Sequence, residues 1–198
     1  MNLPDPAILR AVMQGKGYAW FTNPQGYDLN LVGIRTAGVS GDVFDDWVTV
    51  THYRGDQPVM FPFQATTDPG TFYRENPLNV RGTAILKPGQ YRGAYTLGKH
   101  RRSYDALVQA KPVTVYRDAN RDGVLDTEGM AEDSGFHGVN IHRASAVHHS
   151  LKVGKWSAGC QVVAAPEEFA FVIAMCRHAA TIYGDLFTYT LLEESDFR

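Results

Sequence analysis

The sequence predicts a mostly β fold, a β-sandwich or small barrel with peripheral α-helices. Three observations predict it. From about Tyr27 to Val115 the chain is a series of β-branched and aromatic runs cut by Gly, Pro, Asn and Asp. The runs are short and evenly spaced, as strands of a sandwich or barrel are. Apolar residues at helical spacing are confined to one segment near each end.

Taken in order, Asp5 and Pro6 introduce "AILRAVMQG", a cap, helix and stop that ends at Gly15. Strand and turn signals follow in "LNLVGIRTAG", "DDWVTVTHYR", "VMFPFQATTDPGTFY", "GTAILKPGQYRGAYTLG" and "KPVTVYRD". A polar, acidic loop over 118–134 leads to a strand at 135–143, and a second loop covers 144–156. After a turn around Cys160, one clear helix runs from Pro166 to about Tyr183, and "LFTYTLLE" supplies a last strand. Residues 1–26 read as an N-terminal helical extension and 27–198 as one domain.

Composition narrows the function. The 198 residues are 44% hydrophobic and 20% charged with a net charge of −2, so there is a real core and no basic footprint for nucleic acid. No apolar run approaches the ~20 residues of a membrane span. The first residues lack a charged segment followed by an apolar one, so no signal peptide is expected. Cys176 lies on the apolar side of the C-terminal helix and reads as a packing residue, so no disulfide framework is indicated.

Cys160 is different, because "WSAGCQVV" sets it behind a glycine on a turn. A thiol does nucleophilic work when a base stands beside it. Alternation along "GFHGVNIHRA" puts Asn140 and His142 on one face, towards an open site, and Val139 and Ile141 on the core face with His137 as a structural histidine. Two other readings stay open on these residues. Cys160 can pack in a core turn, or bind zinc with His137, His142, His148 or His149, although no Cys-x-x-Cys or His-x-x-x-His pair frames such a site.

The segments "NIHRAS" and "WSAGCQV", with 18 positions from His142 to Cys160, resemble the signature of the L,D-transpeptidase (YkuD-type) catalytic domain. "FQATTDPGTF" is similar to that family's Thr-Pro-x-Gly-x-Phe segment, with Asp68 inserted. The resemblance runs from about Leu29 to Val163. It implies that 27–198 is an L,D-transpeptidase-like catalytic domain acting on peptidoglycan stem peptides, with no cofactor required. It implies Cys160 as nucleophile, His142 as base and the Arg143 carbonyl as the group that orients the imidazole. Backbone N–H groups at Gly159 and Cys160 would form the oxyanion hole, the glycine leaving room for substrate. Two family residues are replaced: the histidine before Gly-Cys is Ala158, and the arginine two places after the cysteine is Val162. Substrate contacts would then fall to Asn140, Arg143, Ser157 and Gln161, with Lys155 a further candidate. The same dyad serves transfer to an amine or to water, so a transpeptidase, a carboxy- or endopeptidase, and a non-catalytic wall-binding module remain alternatives. With no signal peptide expected, a phage lysis or tail system or a secretion machine would deliver the chain to the periplasm or wall.

Two further patches stand out. In "DANRDGVLDTEG", Asp118, Asn120, Asp122, Gly123 and Asp126 fall at positions 1, 3, 5, 6 and 9 of a calcium loop, with Gly129 where the bidentate Glu belongs. The loop reads either as a structural calcium site or as an Asx-rich turn. "LGKHRRSYDALVQ" gathers Lys99, His100, Arg101 and Arg102, a solvated cluster that would hold carboxylates if it flanks the site.

Overall fold

A computed structural model describes residues 3–37 and 42–198. Gly38, the end of the first strand run, and the first two residues of the N-terminal extension lie outside them. Eight strands close into a barrel in the order β1-β11-β5-β6-β9-β10-β3-β2. These are β1 (Asn30–Arg35), β2 (Asp46–Arg54), β3 (Gln57–Thr66), β5 (Gly89–His100), β6 (Tyr104–Gln109), β9 (Ile141–Arg143), β10 (Gln161–Val163) and β11 (Leu186–Glu193). Closure removes the unpaired edges that a sheet of this width would expose. A second, antiparallel sheet of order β4-β7-β8 holds β4 (Thr83–Leu86), β7 (Val113–Asp118) and β8 (Ala131–Gly135).

The barrel interior is filled by Leu31, Val48, Val50, Tyr95, Leu107, Ile141, Val163, Tyr189 and Leu191. Helix α3 (Pro166–Tyr183) covers one side and inserts Phe169, Val172, Ile173 and Cys176 into the same cluster. Cys176 is fully buried and unpaired, and burial pushes its thiol up to about 12. Helix α1 (Pro6–Gly15) starts as its sequence dictates: Asp5 Oδ1 accepts from the Ala7 and Ile8 N–H groups at 2.8 and 3.0 Å. It lays Leu9 and Met13 against Val32, Ile34 and Leu192 on the outer face of the barrel.

Four segments differ from the sequence expectation, the first being the 118–134 loop, whose last residues form β8 against β7. The run 59–73 ends in a short helix, α2 (Thr71–Glu75), and the basic stretch 97–109 contains β6, which pairs with β5 from Tyr95–Gln109 to His100–Tyr104. Of the expected strand 135–143, Gly135 belongs to β8 and only Ile141–Arg143 forms the later strand. Between Gly135 and Asn140 the chain leaves the sheet because the Gln109 side chain holds it instead: Gln109 Oε1 accepts from the N–H groups of His137, Gly138 and Val139 at 3.0, 3.0 and 3.3 Å.

Candidate active site

The site is made by one pair of parallel strands. β9 and β10 lie side by side with Ile141 opposite Gln161 and His142 opposite Val162. The residues that enter these strands, Asn140 and Cys160, therefore stand together at one end. The Gln161 N–H donates to the Asn140 carbonyl at 2.9 Å, and the Asn140 N–H points at Cys160 Sγ at 3.5 Å. The thiol in turn faces the Gly138 carbonyl at 3.5 Å.

The turn that presents Cys160 is held from both sides. The Ser157 hydroxyl donates to the Cys160 carbonyl at 2.8 Å and accepts from the Gly159 N–H at 3.2 Å. Gly159 has φ +120°, and a Cβ there would stand 2.3 Å from the Ala84 carbonyl oxygen of β4. Glycine is required here because a neighbouring strand crosses at contact distance and the backbone is left-handed. Upstream, Gly70 of the "TTDPGTF" segment packs on the same turn: its N–H donates to the Ser157 carbonyl at 2.9 Å, and a Cβ would meet the Gly154 carbonyl at 2.1 Å. That segment is anchored by Asp46, whose Oδ2 accepts from the Thr67 N–H and hydroxyl at 2.6 and 2.8 Å.

His142 is 2% exposed. Its Nδ1 lies 2.7 Å from the Arg143 carbonyl. A carbonyl only accepts, so Nδ1 carries the proton and Nε2 is left with its lone pair. Nε2 is buried and has no partner. The Tyr104 hydroxyl donates to the same Arg143 carbonyl at 3.1 Å and sits 3.1 Å from His142 Nδ1. The Arg143 side chain folds away, its guanidinium 4.0 Å from the centre of the Tyr104 ring.

The sequence expectation had His142 facing an open site. His100 covers it instead: the two rings stack with centroids 3.9 Å apart, and His100 Nδ1 lies 3.2 Å from Asn140 Nδ2. One ligand-type atom from each of His100, His142 and Cys160 lies within 4.8 Å of the others. This is the single such His, Cys and carboxylate cluster among the described residues, and it could offer a soft metal ion three ligands. His137, His148 and His149, named for zinc on sequence grounds, are outside it. His137 accepts instead from Arg117 Nη2 at 3.0 Å, and its Nε2 lies 3.0 Å from the Asp133 carbonyl.

Electrostatics keep the pair neutral. Burial, then the charge of His100, lowers His142 to about 3, and burial raises the Cys160 thiol although the Asn140 N–H opposes it. Imidazole and thiol therefore stand beside each other uncharged at neutral pH, with the proton still on sulfur.

Cys160 opens into a cleft of about 620 Å³ between the barrel end and the β4-β7-β8 sheet, lined among others by Arg81, Ala84, His100, Arg101, Arg117 and Asn140. Arg81 and Arg117 both bind Asp133 at 2.8 Å; with Arg101 the lining carries three arginines against that one carboxylate, and the cleft is cationic. Compared with known proteins, the chain finds nothing. No family model, curated protein or solved structure matches it.

Cys160, His142, the Arg143 carbonyl and Asn140 thus meet at one point. Two of the expected substrate contacts do not join them. Gln161 is 0% exposed and faces the barrel interior, where its Oε1 accepts from the Tyr189 hydroxyl at 2.8 Å and its Nε2 donates to the Thr67 carbonyl at 3.3 Å. Ser157 is fully buried as the brace of the turn. Gly159 also has its N–H committed to Ser157, which leaves only the Cys160 N–H of the two that were expected to form an oxyanion hole. Sequence reasoning missed Tyr104, and had His100 only as one of a basic cluster flanking the site, not as a ring stacked on His142. Both lie on the β5–β6 hairpin, whose basic composition hid its strand periodicity.

Proposed function

We propose that the protein is a cysteine acyl-transfer enzyme of L,D-transpeptidase type acting on peptidoglycan stem peptides. One observation carries the reading: a buried imidazole with its Nδ1 tied to a backbone carbonyl leaves an unpartnered Nε2 beside a cysteine that opens on a cleft. A core-packing cysteine needs none of these features. Residues of the same types, in the same chain order, give the resemblance to the L,D-transpeptidase domain, whose fold is part of the proposal. The cationic cleft suits a substrate rich in carboxylates, which stem peptides are.

In this reading Cys160 Sγ attacks a carbonyl next to a diamino-acid residue while its proton passes to His142 Nε2. The imidazolium so formed is stabilised by the Arg143 carbonyl, and the Cys160 N–H donates to the oxyanion. The intermediate collapses by breaking the C–N bond, and His142 returns the proton to the leaving amine. An acceptor amine then attacks the thioester, giving its proton to His142 and regenerating the thiol. Water in place of the amine makes the same site a carboxy- or endopeptidase. This substrate lies outside the cytoplasm, so the site of action is the cell wall.

Incubation with intact peptidoglycan, followed by mass separation of the muropeptides, tests the proposal. New cross-linked dimers or exchanged terminal residues establish transfer, and trimmed or split stems establish hydrolysis. A wild-type profile identical to those of Cys160→Ala and His142→Ala removes the enzyme reading and leaves a wall-binding module.

A further inference from the structure

Away from the cleft, Asp118 ends β7 with its side chain 0% exposed, and its Oδ2 has no hydrogen-bond partner. An isolated buried carboxylate oxygen is costly unless a cation or a proton satisfies it. Its Oδ1 faces the Asn120 N–H at 3.4 Å, a long contact. Arg74, whose charge reaches Asp118, gives its Nη2 to Thr71 Oγ1 at 3.0 Å. The charges of Asp126 and Asp122 act on Asp118 with the opposite sense and hold its carboxyl above the usual range, behind burial as the first cause.

In the loop that follows, Asn120 holds Asp122 and Asp126 together, although the carboxylate oxygens of Asp118, Asp122 and Asp126 do not all lie within 4.8 Å of one another. Asn120 Nδ2 lies 3.1 Å from Asp122 Oδ2 and 2.7 Å from Asp126 Oδ2, so the positive end of an amide stands between two carboxylates. A cation would take that position, and rotation of the amide by half a turn presents Oδ1 in place of the N–H groups, at the loss of the 3.2 Å bond that Oδ1 accepts from the Asp122 N–H. Gly123, at φ +78°, makes the sharp turn between Asp122 and Asp126. Glu75 of α2 adds a further carboxylate beside it, with Oε1 3.2 Å from where a Gly123 Cβ would stand.

We infer that 118–126 is a calcium site, with Asp118, Asn120, Asp122 and Asp126 as side-chain ligands and the orphaned Asp118 Oδ2 as its buried anchor. The ligands are all oxygen, they come from a flexible loop, and three carry charge, which suits calcium. The site is separate from the thiol chemistry but connected to its scaffold. Asp118 is opposite Thr83 in the β7–β4 pair, and the next residue of β4, Ala84, is the one that touches Gly159. Calcium therefore fixes the strand against which the cysteine turn is built.

The test uses the full chain and calcium alone, and reads stability and heat of binding, so it is independent of any peptidoglycan activity. Chelator-treated protein is titrated with calcium chloride by calorimetry, and its melting temperature is measured with and without the ion. One site is expected, with a melting temperature raised by roughly 5–10 °C at about a hundred times Kd. Asp118→Asn should abolish the shift. If that variant fails to fold, Asp122→Asn, on the exposed arm of the loop, should weaken binding at least tenfold. No heat and no shift in the wild type up to about 10 mM calcium, well above the range of such loops, overturns the inference. So does an undiminished response in Asp122→Asn.

Discussion

The His100 ring lies over His142 with an interplanar angle of 23°. The stack excludes water from the base and places a second titratable ring where a charge on both is unfavourable. Burial and the charge of His100 are the two largest causes of the low basicity of His142. His100→Ala is therefore expected to raise the His142 pKa towards 6.5, followed by imidazole NMR titration. An unchanged titration would mean that His100 only fills space.

A neutral thiol beside a neutral imidazole also predicts how Cys160 reacts. Its alkylation by iodoacetamide should climb with pH through 9 and beyond, since burial raises the thiol. A rate plateau below pH 7 would instead reveal a preformed thiolate–imidazolium pair and contradict the assigned electrostatics. Cys176, fully buried in α3, should label only when the protein unfolds.

Acid stability carries the signature of His142. Its folded pKa of about 3 lies below the ordinary 6.5 of an unfolded histidine, so between those values the unfolded chain binds more protons. Its contribution is thus lost as pH falls from 6.5 towards 3, at about 1.4 kcal/mol per pH unit. Asp46, raised by burial to about 7, slopes the other way, but it is common to wild type and His142→Gln and cancels between them. Urea unfolding at pH 7 and pH 5 should show His142→Gln gaining stability relative to wild type at the lower pH. Parallel losses in the two proteins would rule this out.

Gly159→Ala tests the turn. The substitution combines φ +120° with a Cβ at 2.3 Å from the Ala84 oxygen, and strain plus overpacking predicts a loss of about 2–4 kcal/mol. For a chain of this size that lowers the melting temperature by roughly 5–15 °C. A melting temperature within about 2 °C of wild type would show that β4 gives way easily.

Much of this architecture was legible in the residues. Helix α3 and strand β11 run Pro166–Tyr183 and Leu186–Glu193, the segments marked by helical periodicity and by β-branched alternation. Asp5 before Pro6 marked the start of α1 for a reason that is wholly local. That His142 and Cys160 come together was legible through the family resemblance of "NIHRAS" and "WSAGCQV". Their surroundings were not. Gln161 looked available to substrate because it follows the cysteine, yet its side chain is drawn inwards by Tyr189, on a strand far along the chain. Gly159 looked like space for a ligand, and the contact with Ala84, on another sheet, was invisible. Alternation failed at 136–140 because one glutamine side chain replaced the neighbouring strand as acceptor. These are contacts between segments remote in sequence, on which periodicity carries no information.

The pairing of β1 with β11, in register from Leu31–Tyr189 to Arg35–Glu193, has a consequence for how the molecule comes into being. The barrel is sealed by zipping its earliest strand to its latest. During synthesis the sheet must wait, incomplete and with two hydrophobic edges bare, until β11 has left the ribosome. Contacts of such long sequence separation slow folding, and the waiting edges are where a chaperone would bind or an aggregate begin. α1 is made first and packs on β1 and β11, so its docking face is also complete only when the ring is shut.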